Sequence, residues 1–167
     1  MVKSVLWAPL LLVVACGGGD DSSSTAGSDG GTGGTGGGTG ANASVKSTCV
    51  TEINNYRATL GLPAYTEWTD GETCADGEAK SDSESGKAHG AFGTCQEFAQ
   101  DECPGWPGDN LDTSIKGCLK MMWAEGPGSD FSTHGHYLNM SNKGYTQAAC
   151  GFHVTPDGQM WSVQNFK

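Results

Sequence analysis

The sequence predicts an α+β sandwich: about three helices around a small antiparallel sheet, stapled by disulfides. Three observations predict it. Three stretches carry apolar residues at helical spacing, and the C-terminal stretch alternates apolar and polar residues across a turn. Six cysteines, Cys49, Cys74, Cys95, Cys103, Cys118 and Cys150, lie downstream of an export-type leader. Helices that run first and a strand pair that follows them suit a sheet covered by helices, not a sheet of alternating parallel strands.

The chain of 167 residues opens with a segment that is not built to fold. Met1 to Ala15 carries Lys3, then an apolar run from Val5 to Val14, then the small residue Ala15 before Cys16. This order of basic, apolar and small segments is that of a secretory leader, and its apolar run is too short to span a bilayer. Val13-Val14-Ala15-Cys16 also resembles a bacterial lipobox, which implies a lipid-modified Cys16 and an outer-membrane or cell-surface anchor. From Gly17 to Ala43 the chain is almost entirely Gly, Ser, Thr and Asp, with no aromatic side chain. Such a composition buries too little surface to offset chain entropy and reads as a tether with a span of about 30 Å. The expected organisation is therefore a leader over residues 1–15, a lipidated cysteine and tether over 16–43, and one folded domain over 44–167.

Charge excludes one class of partner. The formal net charge is −10, and of the 19 acidic residues only Asp20, Asp21 and Asp29 precede Ser44. A net-acidic domain whose sole arginine is Arg57 has no phosphate-binding face, so no nucleic acid is expected, and membrane contact is expected only through the anchor.

The even cysteine set behind a leader reads as three disulfides in an oxidising compartment. No Cys-x-x-Cys pair argues for a thiolate zinc site, and a bridged cysteine has no thiolate for catalysis. Six cysteines allow about 15 pairings. The one specific expectation is Cys95 with Cys103, which closes a short local loop ahead of Pro104.

In the folded part, Thr48 is placed to cap a first helix reaching Leu60, with Val50, Ile53, Tyr56, Arg57 and Leu60 on one side and Gly61 ending it. Thr69 and Glu72 suit a capping box for a second helix over Glu72 to Ser83, with Cys74, Ala75 and Ala79 as its apolar edge and Asp76, Glu78, Asp82 and Glu84 facing water. Gly86 to Asn110, rich in Gly, Pro and Cys, reads as irregular. Asp112 or Thr113 caps a third helix carrying Ile115, Cys118, Leu119, Met122 and Trp123, closed by Gly126-Pro127. Tyr145 to Val154 alternates, Thr155-Pro156-Asp157-Gly158 supplies a turn, and Met160 to Phe166 returns as the partner strand. A third strand is expected within Pro63 to Trp68 or Thr94 to Ala99.

Gly135-His136-Tyr137, read as a glycine-flanked turn, together with Cys150-Gly151-Phe152 and Trp161-Ser162-Val163-Gln164-Asn165-Phe166, resembles the end of a CAP domain. That is the secreted fold of cysteine-rich secretory proteins, venom allergens and plant pathogenesis-related proteins. Asn54-Asn55-Tyr56-Arg57 followed by Leu60-Gly61-Leu62-Pro63 resembles that family's first helix and turn. The resemblance implies a CAP-type α-β-α sandwich with an open cleft where two histidines and two acids meet. By position these are His89, His136, Glu125 and, for the remaining acid, Glu97, with Asp109 in Gly108-Asp109-Asn110-Leu111 as the alternative. It implies that His89 and His136 can hold Zn²⁺ or another divalent cation, none being obligatory. His134 and His153 match no family position and read as a loop residue and a solvent-facing strand residue.

Two neutral imidazoles beside carboxylates suit a weak divalent site, the acids fixing ring tautomers. The leading expectation is a lipid-anchored extracytoplasmic binding module for a small-molecule, lipid or protein ligand. Two alternatives stand beside it: a metal-assisted peptidase or esterase with Glu97 or Glu125 as general base, and a structural envelope protein. No His-Glu-x-x-His helix and no Gly-x-Ser-x-Gly elbow is present, so no catalytic signature favours the enzyme.

Overall fold

Why the helices lie where they do follows from which side chains each one buries. The structure is a computed structural model and describes residues 39–167. The leader, Cys16 and the tether up to residue 38 lie outside the described residues. Helix α1 (Thr39–Thr59) starts before Thr48, which sits inside it, because the buried period begins earlier: Val45, Cys49, Ile53 and Arg57, four apart, form one inward row. Leu60, expected on that row, is exposed beyond the helix end.

Strand β1 (Thr66–Glu67) is followed at once by α2 (Thr69–Ser85). The expected capping box does not form; Trp68 is the cap residue and makes no side-chain bond to the helix. A second correction matters more. Glu78 and Asp82 do not face water but are buried with Ala75 and Ala79 against the sheet.

Strand β2 (Ala99–Pro107) occupies a stretch expected to be irregular. Then come α3 (Leu111–Ala124), capped by Asn110 through Thr113 N–H and not by Asp112 or Thr113, and α4 (Phe131–Met140), capped by Asp130 through Ser132 N–H. Helix α4 replaces the turn expected around His136. Strands β3 (Gln147–Val154) and β4 (Gln159–Phe166) form the foreseen hairpin.

The sheet order is β1-β3-β4-β2; only the β1–β3 pair is parallel. Helix α2 covers one face, while α1, α3 and α4 lie against the other. The period of two divides the strands accordingly. Cys150, Phe152, Met160 and Phe166 enter the main core with Ile53, Ile115 and Leu119, whereas Val163 meets Ala75 and Ala79 beneath α2. A Cβ at Gly151 would stand 2.0 Å from the Ala75 carbonyl carbon, so only glycine lets α2 lie this close to β3.

The disulfides join these layers: Cys49–Cys150 ties α1 to β3, Cys74–Cys95 ties α2 to the segment before β2, and Cys103–Cys118 ties β2 to α3. The expected Cys95–Cys103 bridge is thereby corrected. Strand β2 extends the chain between those two cysteines and aims Cys103 at α3, whereas Cys95 meets α2.

Among the described residues, no helix is long and apolar enough to cross a membrane.

Candidate functional site

At the open edge of the sheet, β2 presents the floor of a cleft between the segment 86–98 on one side and α4 on the other. An edge strand exposes pairing groups, and this one is blunted by Pro104, Pro107 and a register shift between Cys103 and Trp106. Alternation sends Asp101 and Cys103 toward α4 and α3, and Gln100 and Glu102 toward α2.

His89 stands on the segment 86–98 with φ 58, a left-handed backbone uncommon for a residue with a Cβ. A buried carboxylate holds it there: Glu102 Oε2 accepts the His89 N–H at 2.6 Å. Its Nδ1 lies 2.9 Å from Gln100 Oε1. The Gln100 amide nitrogen is committed elsewhere, donating to Glu78 Oε2 and Asn165 Oδ1 at 3.2 Å each. The oxygen can only accept, so His89 Nδ1 carries the proton and Nε2 carries the lone pair.

His136 reaches the same state from the other wall. Its Nδ1 is 2.5 Å from Glu125 Oε1, while Glu125 Oε2 accepts the N–H groups of His136 and Tyr137 at 3.0 and 3.4 Å. Glu125 sits just past the end of α3, where Gly126, with φ 67, turns the chain. His134, on α4 and not in a loop, donates through Nδ1 to the carbonyls of Glu125 and Gly126, at 2.8 and 3.0 Å, and so fixes the turn that presents Glu125. Each cleft imidazole is therefore oriented through Nδ1 by an oxygen, which leaves Nε2 as the base.

His89, Gln100, Asp101, Glu125, His136 and Asn139 line one cavity of about 250 Å³. Glu97, expected as the remaining cleft acid, does not line it. Its carboxylate turns away, accepting the Gly93 N–H and lying within 4.8 Å of Glu78. Asp109, the alternative, precedes α3 and is absent from the lining too. The place is taken by Gln100 and Asp101, which sequence reasoning missed. Their one sequence signal is the run Gln100-Asp101-Glu102-Cys103, whose alternation marks a strand once its acids are allowed to be buried.

Asp101 accepts from Asn139 Nδ2 at 2.8 Å, and its other oxygen has no partner. Burial pushes its carboxyl well above the usual range, only partly opposed by the hydrogen bond from Asn139. Burial likewise raises Glu102 to about 7; the His89 N–H opposes this, and Asp82 and Glu78 add to it.

The chemistry fits a divalent ion of the zinc class, which takes neutral imidazole nitrogens oriented by oxygen partners. Two protein ligands leave open positions for water or a ligand atom. Among the described residues, the three-membered group of ligating atoms within 4.8 Å of one another lies elsewhere: Glu78, Cys95 and Glu97. A second cavity of about 380 Å³ adjoins the cleft, sharing His89, Gln100, Phe131 and Asn139 and adding Phe92, Phe98 and Tyr145. Phe92, Phe98 and Phe131 are at least half exposed. His153, on β3, is part-buried and lines neither cavity.

Residues 50–166 match the sequence model of CAP, the cysteine-rich secretory protein family. No curated protein matches the chain. Among solved structures, Na-ASP-1 aligns with TM-score 0.56 at 12% identity, over 72% of this chain and 38% of its own. BmVAL-1 aligns with TM-score 0.54 at 12% identity, over 74% of this chain and 76% of its own. NaASP2, in a structure with Zn²⁺, aligns with TM-score 0.53 at 9% identity, over 72% and 77%. At such identities the likeness concerns the fold.

Proposed function

The chain belongs to the cysteine-rich secretory protein (CAP) family, and from that premise we propose that it is an extracytoplasmic binding module, not an enzyme, anchored through a lipidated Cys16. His89 and His136 hold a divalent cation of the zinc class through Nε2, and the adjoining aromatic hollow receives the apolar part of a ligand whose polar end meets the ion. The single observation that carries this reading is the matched orientation of the two rings by Gln100 and Glu125. A polar cleft without a ligand role has no need to line one cavity with two imidazoles that are both held through Nδ1 by oxygens. The Zn²⁺ structure of NaASP2 adds support from the same fold. Three exposed phenylalanines beside a polar cleft are costly on a monomer's surface and suit a partly apolar ligand.

When bound, the ion supplies a positive centre for an anionic or carbonyl oxygen. The chain's own groups do the rest: Glu125 and Gln100 hold the rings, and Asp101 lines the same cavity. The test is calorimetric titration of Zn²⁺ into the protein, its His89→Ala variant and its His136→Ala variant. Binding in the parent, weakened at least tenfold in each variant, is expected; equal heats in all three end the metal reading.

A further inference from the structure

Behind the cleft, four carboxylates hold the segment that carries His89. Glu102 accepts the His89 N–H, Asp82 the Ala91 N–H, Glu97 the Gly93 N–H and Glu78 the Thr94 hydroxyl. All four are buried, Glu97 being the most exposed at 6%. Among the described residues, no lysine or arginine forms an ion pair with any of them. Among the described residues, none donates a hydrogen bond to the buried Glu97 Oε2, Asp82 Oδ2 or Glu102 Oε1. Burial raises Glu78, Asp82 and Glu102, and their ionised forms are costly without a positive partner beyond His89 and Lys87 near Asp82.

Glu78 and Glu97 lie closest to supplying a site for one, with ligating oxygens within 4.8 Å. Cys95 Sγ is equally near, but its bond to Cys74 removes it as a thiolate ligand. The disulfide instead anchors the chain two residues before Glu97. What remains is an oxygen-only donor set of two carboxylates with the Thr94 hydroxyl beside them, which favours a hard cation over a thiophilic one.

Burial, and less strongly the neighbouring Glu97 carboxyl, raise Glu78, while hydrogen bonds from neutral donors favour its ionised form. Glu78 accepts from Thr94, Gln100 and Asn165, and Glu97 accepts from a backbone N–H. A shared proton would neutralise one charge of the pair; a divalent cation neutralises both and gives Glu97 Oε2 its missing partner. We infer that Glu78 and Glu97 hold a hard divalent cation of the calcium class beneath the segment 86–98, separate from the two-histidine cleft, and that this cation sets the rigidity of the segment presenting His89.

The test uses the full chain freed of metal with chelator at pH 8. Addition of CaCl₂ to saturation should raise the thermal midpoint by roughly 5 °C or more. Glu97→Gln should abolish that rise, and His136→Ala should keep it, which separates this site from the cleft. Glu78→Gln serves if Glu97→Gln does not fold. Calorimetry on the unaltered protein needs no variant and should show one calcium site per chain. No rise and no heat overturns the inference, as does an equal rise in Glu97→Gln. So does a Glu97→Gln protein that, without calcium, matches the stability of the calcium-loaded parent, since the pair would then share a proton.

Discussion

Two buried polar clusters in this molecule solve opposite problems. Beneath the turn after α1, Arg57 is 2% exposed, yet its guanidinium donates to the carbonyls of Pro63, Met140 and Asn142 at 2.8–2.9 Å and lies over the Tyr65 ring at 3.5 Å. Asn54 fixes Tyr65 through both of its backbone groups. Among the described residues this cation has no carboxylate partner; backbone oxygens serve instead, and the cluster ties α1 to the end of α4. Beneath the segment 86–98 stand buried carboxyls with orphaned oxygens and, among the described residues, no ion pair to a lysine or arginine. The first cluster is complete and structural. The second is incomplete, and it is the one adjoining the cleft.

Several substitutions would break or sharpen that contrast. Arg57→Met should have the largest effect, lowering stability in denaturant titration by about 3–4 kcal/mol, because three backbone carbonyls lose one buried charged donor at once. A cost below about 1 kcal/mol would show that the cluster is not the staple described.

Glu102→Gln should act in the other direction and depend on pH. A carboxyl whose folded value stands above its unfolded one binds its proton more tightly in the fold, so its ionisation costs stability as pH climbs between the two. With Glu102 at about 7 against an ordinary 4.5, metal-free protein should lose up to about 3 kcal/mol from this group between pH 4.5 and 8. Glu102→Gln should therefore stabilise the protein at pH 8 and leave it unchanged at pH 4.5. Equal effects at both would mean that burial does not set this group's titration.

Glu125→Gln should leave the fold intact and weaken zinc about 10- to 100-fold in calorimetry, by releasing the His136 ring. The smallest effect on stability belongs to Phe98→Ser, within about 0.5 kcal/mol because the ring is 66% exposed. A larger loss would make the aromatic wall part of the core instead of a ligand surface.

How much was legible in advance divides along the same line. Regular patterning revealed the hairpin, the third helix and the stripe of α1, since each carries apolar residues at the period of its own element. His136 and Glu125 were legible through motif resemblance. What stayed hidden depended on burying charge. Strand β2 was missed because Asp101, Glu102 and Pro104 are poor strand residues, accepted here by a bulged edge and by amide partners. On an isolated helix Glu78 and Asp82 would face water; the sheet beneath α2 buries them. Helix α4 was missed because Gly135 and a polar composition mask it, although Asp130 two residues before Ser132 is a capping signal. The disulfide partners were illegible for another reason: Cys49 and Cys150 stand 101 residues apart, and only the packing of α1 on β3 brings them together.

Anomalous diffraction at the zinc edge, from crystals soaked in Zn²⁺, tests the central claim most directly. A single strong peak bonded to Nε2 of His89 and Nε2 of His136, with Glu125 still on the opposite nitrogen, is the predicted result. A peak reached through Nδ1, or zinc found anywhere but between these two rings, would contradict it.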